Sequence, residues 1–252
     1  SIPKILKKGM FLIRPTNMKS YHTIVYISGI FLLTLLVSCD QAQKKVILTP
    51  ASFRVAIEVV VDDSTAVDSF VQNLQGVALD LYRWKNHVVL FGEPADTIGI
   101  SKMISQSGIS LKMKCYDSPM YVFDRQKHCG TSAVAQPWND YLLTANLVAD
   151  TALQREYMHY HEVQFKEWPE VARGFCNAGF HQLLVFRNGR QLLLVISIPA
   201  GKTLDELNPK TEENNPRVVE WNKLMGKYQE GIEGTKPGET WVFFSPVKDY
   251  RN

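Results

Sequence analysis

Apolar and polar positions change period repeatedly along this chain, and the changes mark short strands alternating with amphipathic helices. Residues 53–61 are β-branched and half alternating, which predicts a strand. Asp62, Asp63, Ser64 and Thr65 are helix-capping side chains. They predict a helix with Val67, Phe70, Val71 and Leu74 on one face and Gly76 as its stop. Residues 77–82 and 87–91 read as strands joined by a turn over 83–86; a helix over 95–106 ends at Gly108, and a strand over 109–115 follows. The order βαββαβ predicts a four-stranded antiparallel sheet with both helices on one face, the ferredoxin-like arrangement.

The later part repeats that order. A strand over 141–148 leads into a helix from Thr151 to about Gln164, and Pro169 opens a second helical piece where a missing amide donor costs least. Residues 179–186 and 191–198 pair across a hairpin whose turn, Arg187-Asn188-Gly189-Arg190, carries the strongest short hairpin signal. Asn215 is expected to cap, and Pro216 to open, a helix with Val218, Trp221, Met225 and Tyr228 on one stripe; residues 240–244 close the sheet. The halves also echo each other in letters. Leu81-Tyr82-Arg83, a turn, an apolar strand and Pro94 line up with Val185-Phe186-Arg187, a turn, an apolar strand and Pro199. The fold class is therefore α+β, two tandem ferredoxin-like domains, with a tandem duplication as the hypothesis behind it.

At 252 residues, 45% hydrophobic and 21% charged, the chain has apolar material for two small cores. A formal charge of +3 is too mild to imply nucleic acid, and no run of interleaved basic and aromatic residues says otherwise. Met18 to Cys39 reads as a targeting segment: Lys19 gives a positive start and 24–37 an almost unbroken apolar run, short of the roughly 20 residues that span a bilayer. The ending Leu36-Val37-Ser38-Cys39 resembles a bacterial lipoprotein box, which makes Cys39 the acylated first mature residue. The expected organisation is thus 1–38 as upstream extension and signal, 39–51 as tether, 52–129 as the first domain, 130–139 as linker and 140–252 as the second. The expected location is the cell envelope, on the periplasmic or outer-membrane side, with the membrane as partner through the lipid. Cys115, Cys129 and Cys176 show no Cys-x-x-Cys spacing, so metal binding has no support; one disulfide is open, Cys115 with Cys129 being nearest in sequence, and buried free thiols are equally open.

The chemistry concentrates in Glu156-Tyr157-Met158-His159-Tyr160-His161, followed by Trp168-Pro169-Glu170-Val171. Residues four apart share a helix face, so Tyr157 and His161 project together, a phenol beside an imidazole. An imidazole gives or takes a proton near neutral pH and a phenol holds a hydroxyl, which suits proton transfer on a polyol. Without further support, such a pair is an ordinary half-buried amphipathic face.

The later motifs supply that support. Tyr157-x-x-x-His161 and Trp168-Pro169-Glu170, then 215–221 (Asn-Pro-Arg-Val-Val-Glu-Trp), Leu224-Met225, Lys227-Tyr228-Gln229, Lys236-Pro237-Gly238-Glu239 and Trp241-Val242 together resemble the L-rhamnose mutarotase family over about 140–247. The resemblance implies an aldose mutarotase with Tyr157 and His161 as acid/base residues, Trp221 in the sugar pocket, and L-rhamnose or a related 6-deoxy-L-hexose such as L-fucose as substrate. It implies no metal and no cofactor, because ring opening and reclosure of a hemiacetal need only proton donors and acceptors. Tyr160, Trp168 and His181 are further sugar-binding candidates, with core or sheet-packing roles as the alternatives. In that family two chains pair their sheets into a dimeric α+β barrel; here the two halves are expected to do so within one chain, or the chain to form a homodimer. The first half lacks the Tyr-x-x-x-His and Trp-Pro-Glu letters and is expected to be a structural partner with no site of its own. One departure stands out: six residues separate His161 from Trp168 where the family has three. Either the helix carries an insertion, or Tyr160 and Gln164 occupy the Tyr and His positions, which would make the protein a non-catalytic sugar-binding lipoprotein. A scaffold with unrelated chemistry is the third reading.

Overall fold

The structure, a computed structural model, describes residues 54–74, 76–93, 97–130 and 137–247, all within one compact unit. The expected leader, the expected acylation at Cys39 and the expected tether lie outside the described residues. Among the described residues no helix is long and apolar enough to cross a membrane.

The first half runs β1 (Val55–Val61), a short 3-10 turn, α1 (Val67–Asn73), β2 (Asp80–Trp84), β3 (His87–Gly92), α2 (Thr97–Ser105) and β4 (Leu111–Tyr116). The second begins with β6 (Trp138–Leu147), α4 (Thr151–Glu167), α5 (Pro169–Asn177), β7 (Gln182–Asn188) and β8 (Gln191–Pro199). It continues with α6 (Leu204–Glu212), α7 (Pro216–Met225), β9 (Gln229–Glu230) and β10 (Val242–Phe243). The sheet orders β2-β3-β1-β4 and β7-β8-β6-β10 are the same ferredoxin-like order twice. Between the halves lie β5 (Tyr121–Asp124) and α3 (Arg125–His128), and β11 (Ser245–Pro246) follows β10.

These connecting strands are exchanged. After β4 the chain crosses to the second sheet, where β5 pairs antiparallel with the edge strand β7. After β10 it crosses back, and β11 pairs with the corresponding edge strand β2. Each crossing thus covers the other half's exposed edge, a row of unpaired amides that would otherwise template aggregation.

The strands read as nearly unbroken apolar runs because both faces of each sheet are covered. Outward, Ile57, Val59, Val61, Val88 and Leu90 pack on Val67, Phe70 and Leu74 of the first helical layer. Inward, Ala56, Val89, Phe91 and Tyr82 meet Leu142, Leu184, Phe186, Leu193 and Val195 of the second sheet. Fully burying one such side chain is worth roughly 1.5–3 kcal/mol, so this seam is a major share of what holds the halves together.

Superposing the two hairpins places Glu58 on Thr144 and His87 on Gln191, and these four side chains meet across the seam. Glu58 is fully buried, accepting from Gln191 Nε2 at 2.8 and 3.0 Å and from Tyr116 at 3.0 Å, with His87 Nδ1 at 2.7 Å and Lys114 Nζ at 3.9 Å. Just before β1, Arg54 pairs with Asp140, which holds the equivalent position in β6, and reaches Ser197 at 3.2 Å.

Two expectations need correcting. Asn215 makes no side-chain cap for α7; its Nδ2 donates instead to the Glu170 carbonyl at 2.8 Å, tying the start of α7 to α5. And Cys129 bridges to Cys176, not to Cys115, joining the end of α3 to α5.

Candidate active site

Helix α4 is started by Asp150, whose carboxylate accepts from the amides of Ala152 at 2.7 Å and Leu153 at 3.2 Å. Its inner face carries Gln154, Tyr157, His161 and Gln164, which follow helical spacing. Tyr157 and His161 meet as that spacing requires, ring centroids 4.2 Å apart. His161 Nδ1 lies 3.0 Å from the Tyr157 carbonyl oxygen. A carbonyl only accepts, so the neutral ring donates from Nδ1 and leaves its lone pair on Nε2. Burial pushes the imidazole down to about 4, against the opposing pull of that carbonyl, so His161 is neutral at physiological pH. Burial likewise drives the Tyr157 phenol well above its ordinary value, opposed by the Gln229 amide and the Arg187 charge. Tyr157 therefore stays protonated. Gln229 is oriented for this contact by Trp241, whose Nε1 donates to Gln229 Oε1 at 3.0 Å.

The other candidates divide. Trp221, buried on α7, lies 5.4 Å from the His161 ring, and its indole meets Trp168 at 5.5 Å and Tyr160 at 6.3 Å. Tyr157, Tyr160, His161, Trp168 and Trp221 thus form one aromatic cluster, joined by Tyr228, 6.0 Å from Tyr160. Trp168 also carries the Arg217 guanidinium over its ring at 3.7 Å. His181 stands apart from this cluster: just before β7 it stacks on Trp138 at 3.8 Å, with a buried Nδ1 that has no hydrogen-bond partner among the described residues.

Gln164 has a different place from His161. It is fully buried, accepts from the Tyr121 hydroxyl at 2.8 Å, and donates to the Trp168 carbonyl at 2.8 Å. Both ends of the amide are engaged in stopping α4 and holding Tyr121. The six residues after His161 are accommodated by a continuous helix that runs on to Glu167.

Sequence reasoning missed Tyr121. It comes from the first half on the exchanged strand β5, and its ring meets His161 edge to face at 5.2 Å. Behind it, Phe165 stacks on Tyr121 at 5.4 Å and His128 on Phe165 at 3.9 Å. The first half, expected to be only a structural partner, therefore supplies a wall of this cluster. No local signal marks Tyr121, because its neighbours are brought together only by the crossing of β5.

The family model for L-rhamnose mutarotase matches residues 131–248. An L-fucose mutarotase of Xanthomonas campestris is 31% identical over 93 residues, 36% of this chain and 72% of that protein. A UPF0734 protein of Dictyostelium discoideum is 27% identical over 115 residues, 44% of this chain and 86% of that protein. Among solved structures, a monooxygenase-like protein from Listeria innocua overlays with a TM-score of 0.36 at 13% identity, covering 79% of this chain and 96% of that one, too loose a likeness to bear on chemistry. The matched segment contains α4, the Trp168-Pro169-Glu170 corner and Trp221. With their order and their convergence on one aromatic cluster, the chain belongs to the L-rhamnose mutarotase family and is, at the level of that family, a sugar mutarotase.

Proposed function

We propose that the chain interconverts the α and β anomers of a 6-deoxy-L-hexose of the L-rhamnose or L-fucose type. The observation that carries this is His161: a neutral imidazole, tied through Nδ1 to the Tyr157 carbonyl, with the Nε2 lone pair left for substrate. In the forward direction Nε2 takes the proton of the anomeric hydroxyl as the bond from C1 to the ring oxygen breaks, and the ring oxygen gains a proton. The open aldehyde rotates about the C1–C2 bond and recloses on its other face, and the protons return. Tyr157, held protonated by burial, supplies that proton to the ring oxygen and recovers it on reclosure. Trp221 offers the apolar face against which a deoxy sugar's ring and methyl group pack. The L-fucose mutarotase relative supports the 6-deoxy-L-sugar class.

Saturation-transfer NMR of anomer exchange on L-rhamnose, L-fucose and D-glucose tests this. Exchange on a deoxy sugar that His161→Ala abolishes is the expected result; sugar binding without exchange would favour the non-catalytic binder, and neither would sink both readings.

The same proposal places the protein at the cell envelope, held by acyl chains on Cys39. The apolar leader ending in Leu-Val-Ser-Cys supports this, and the Cys129–Cys176 bridge suits an oxidising compartment. Metabolic labelling with a radioactive fatty acid should mark the wild type and not Cys39→Ser.

A further inference from the structure

We propose that Tyr121 is a positioning residue for His161, delivered by the exchanged strand β5, so that the site is assembled from both halves of the chain. This rests on the mutarotase reading above and adds to it a residue outside the segment 131–248 that matches the family.

The Tyr121 ring is fixed from every direction that contacts define. Its backbone pairs with Val185 of β7. Its hydroxyl donates to Gln164 Oε1 at 2.8 Å, and Gln164 Nε2 donates to the Trp168 carbonyl at 2.8 Å, so the amide cannot flip without losing both bonds. Its face lies on Phe165, nearly parallel at 9°. Downstream, the segment is held to α5 by the Cys129–Cys176 bridge and by Arg125 Nη1, which donates to the Cys176 carbonyl at 2.9 Å.

This fixed ring meets the His161 ring edge to face, 5.2 Å away at 86°. The imidazole is then constrained on separate sides: Nδ1 by the Tyr157 carbonyl, the ring by Tyr157, Trp221 and Tyr121. Rotation that would carry Nε2 away from a bound sugar is blocked, and the ring is left only partly open to water. Gln164 acquires a purpose here that its lack of acid/base chemistry would not give it, because it orients the tyrosine that orients the histidine.

The test uses the full chain with Tyr121→Ala and Tyr121→Phe. Anomer exchange on L-fucose and L-rhamnose is separated into kcat and KM, and the His161 ring is followed by nitrogen-15 NMR against pH. Tyr121→Ala is expected to lower kcat about a hundredfold, the scale of a catalytic group displaced by about an ångström. KM should change by less than about threefold. The His161 titration should move up toward the ordinary imidazole range as water reaches the ring. Tyr121→Phe keeps the ring and loses one hydrogen bond, so its kcat should fall about tenfold; it decides the matter if the alanine variant does not fold. Variants that melt earlier while kcat and the His161 titration stay at wild-type values would overturn the proposal. If the wild type exchanges no sugar, the mutarotase reading fails, and the titration alone then decides positioning: a shift upholds it and no shift overturns it.

Discussion

His161 is half-buried and Glu58 fully buried, and their surroundings drive these two ionisable groups to opposite charge states. Among the described residues no anion faces His161, and it loses its proton; Glu58 has donors around it and keeps its charge. Burial alone would raise the Glu58 carboxyl, but the His87 hydrogen bond, the Lys114 and His87 charges and the Gln191 amide outweigh it and hold it below its ordinary value. If the neutral His161 is the working form, kcat/KM for anomer exchange should be flat through neutral pH and fall only as pH drops through about 4, after subtraction of the uncatalysed rate. A fall on the alkaline side of that value would instead require the imidazolium. For Glu58, a depressed folded-state value means stability present above the unfolded value and lost as pH falls through the folded one. Glu58→Ala, which strands the donors of Gln191 and Tyr116 in the seam, should cost about 3–5 kcal/mol at pH 7 by denaturant unfolding. The difference from wild type should shrink in acid.

The elements were unequally legible in the sequence. Long apolar strands and helix starts lie close to where the sequence puts them: β8 is expected over 191–198 and runs Gln191–Pro199, and the helices expected from Thr151 and Pro169 begin there as α4 and α5. Helix α6 went unread although Thr203 and Glu206 form a full capping box, a signal masked by Pro209 within the helix. β5 and β11 were illegible for a different reason. They are 4 and 2 residues long and owe their existence to the edge they meet, not to their own letters. The same division runs through the site. Tyr157 and His161 are neighbours by helical spacing and could be read; Tyr121 and Gln164 are neighbours by tertiary crossing and could not. The disulfide matters at this scale because it staples α3, which follows β5, to the second half. With its cysteines 47 positions apart in sequence, its removal in Cys129→Ala/Cys176→Ala should cost about 2–4 kcal/mol in denaturant unfolding. Unchanged stability would mean that β5 is held by its strand pairing alone.

In the whole molecule, one chain imitates a two-fold pair. The repeated sheet order, the reciprocal exchange of β5 and β11, and the matched arginine turns, Arg83 Nε to the Lys85 carbonyl at 2.9 Å and Arg187 Nε to the Gly189 carbonyl at 2.7 Å, all obey that symmetry. The seam breaks it in one telling way, since the equivalent positions Arg54 and Asp140 carry opposite charges and pair. A fragment of residues 137–252 would expose Leu142, Leu184, Phe186, Leu193 and Val195 together with the bare edge of β7. A second copy offers that edge its β11 and that face its own inner face. The fragment should therefore self-associate as a dimer, measured by light scattering after size exclusion. Symmetry would then set Asp140 against Asp140, two carboxylates where the intact chain has an ion pair, and like charges brought together at an interface are costly. Asp140→Asn should accordingly tighten the fragment dimer at neutral pH, whereas in the intact chain the same change removes the partner of Arg54 and should destabilise. A fragment that stays a folded monomer, or a dimer indifferent to Asp140, would show that the seam does not hold the halves by this complementarity.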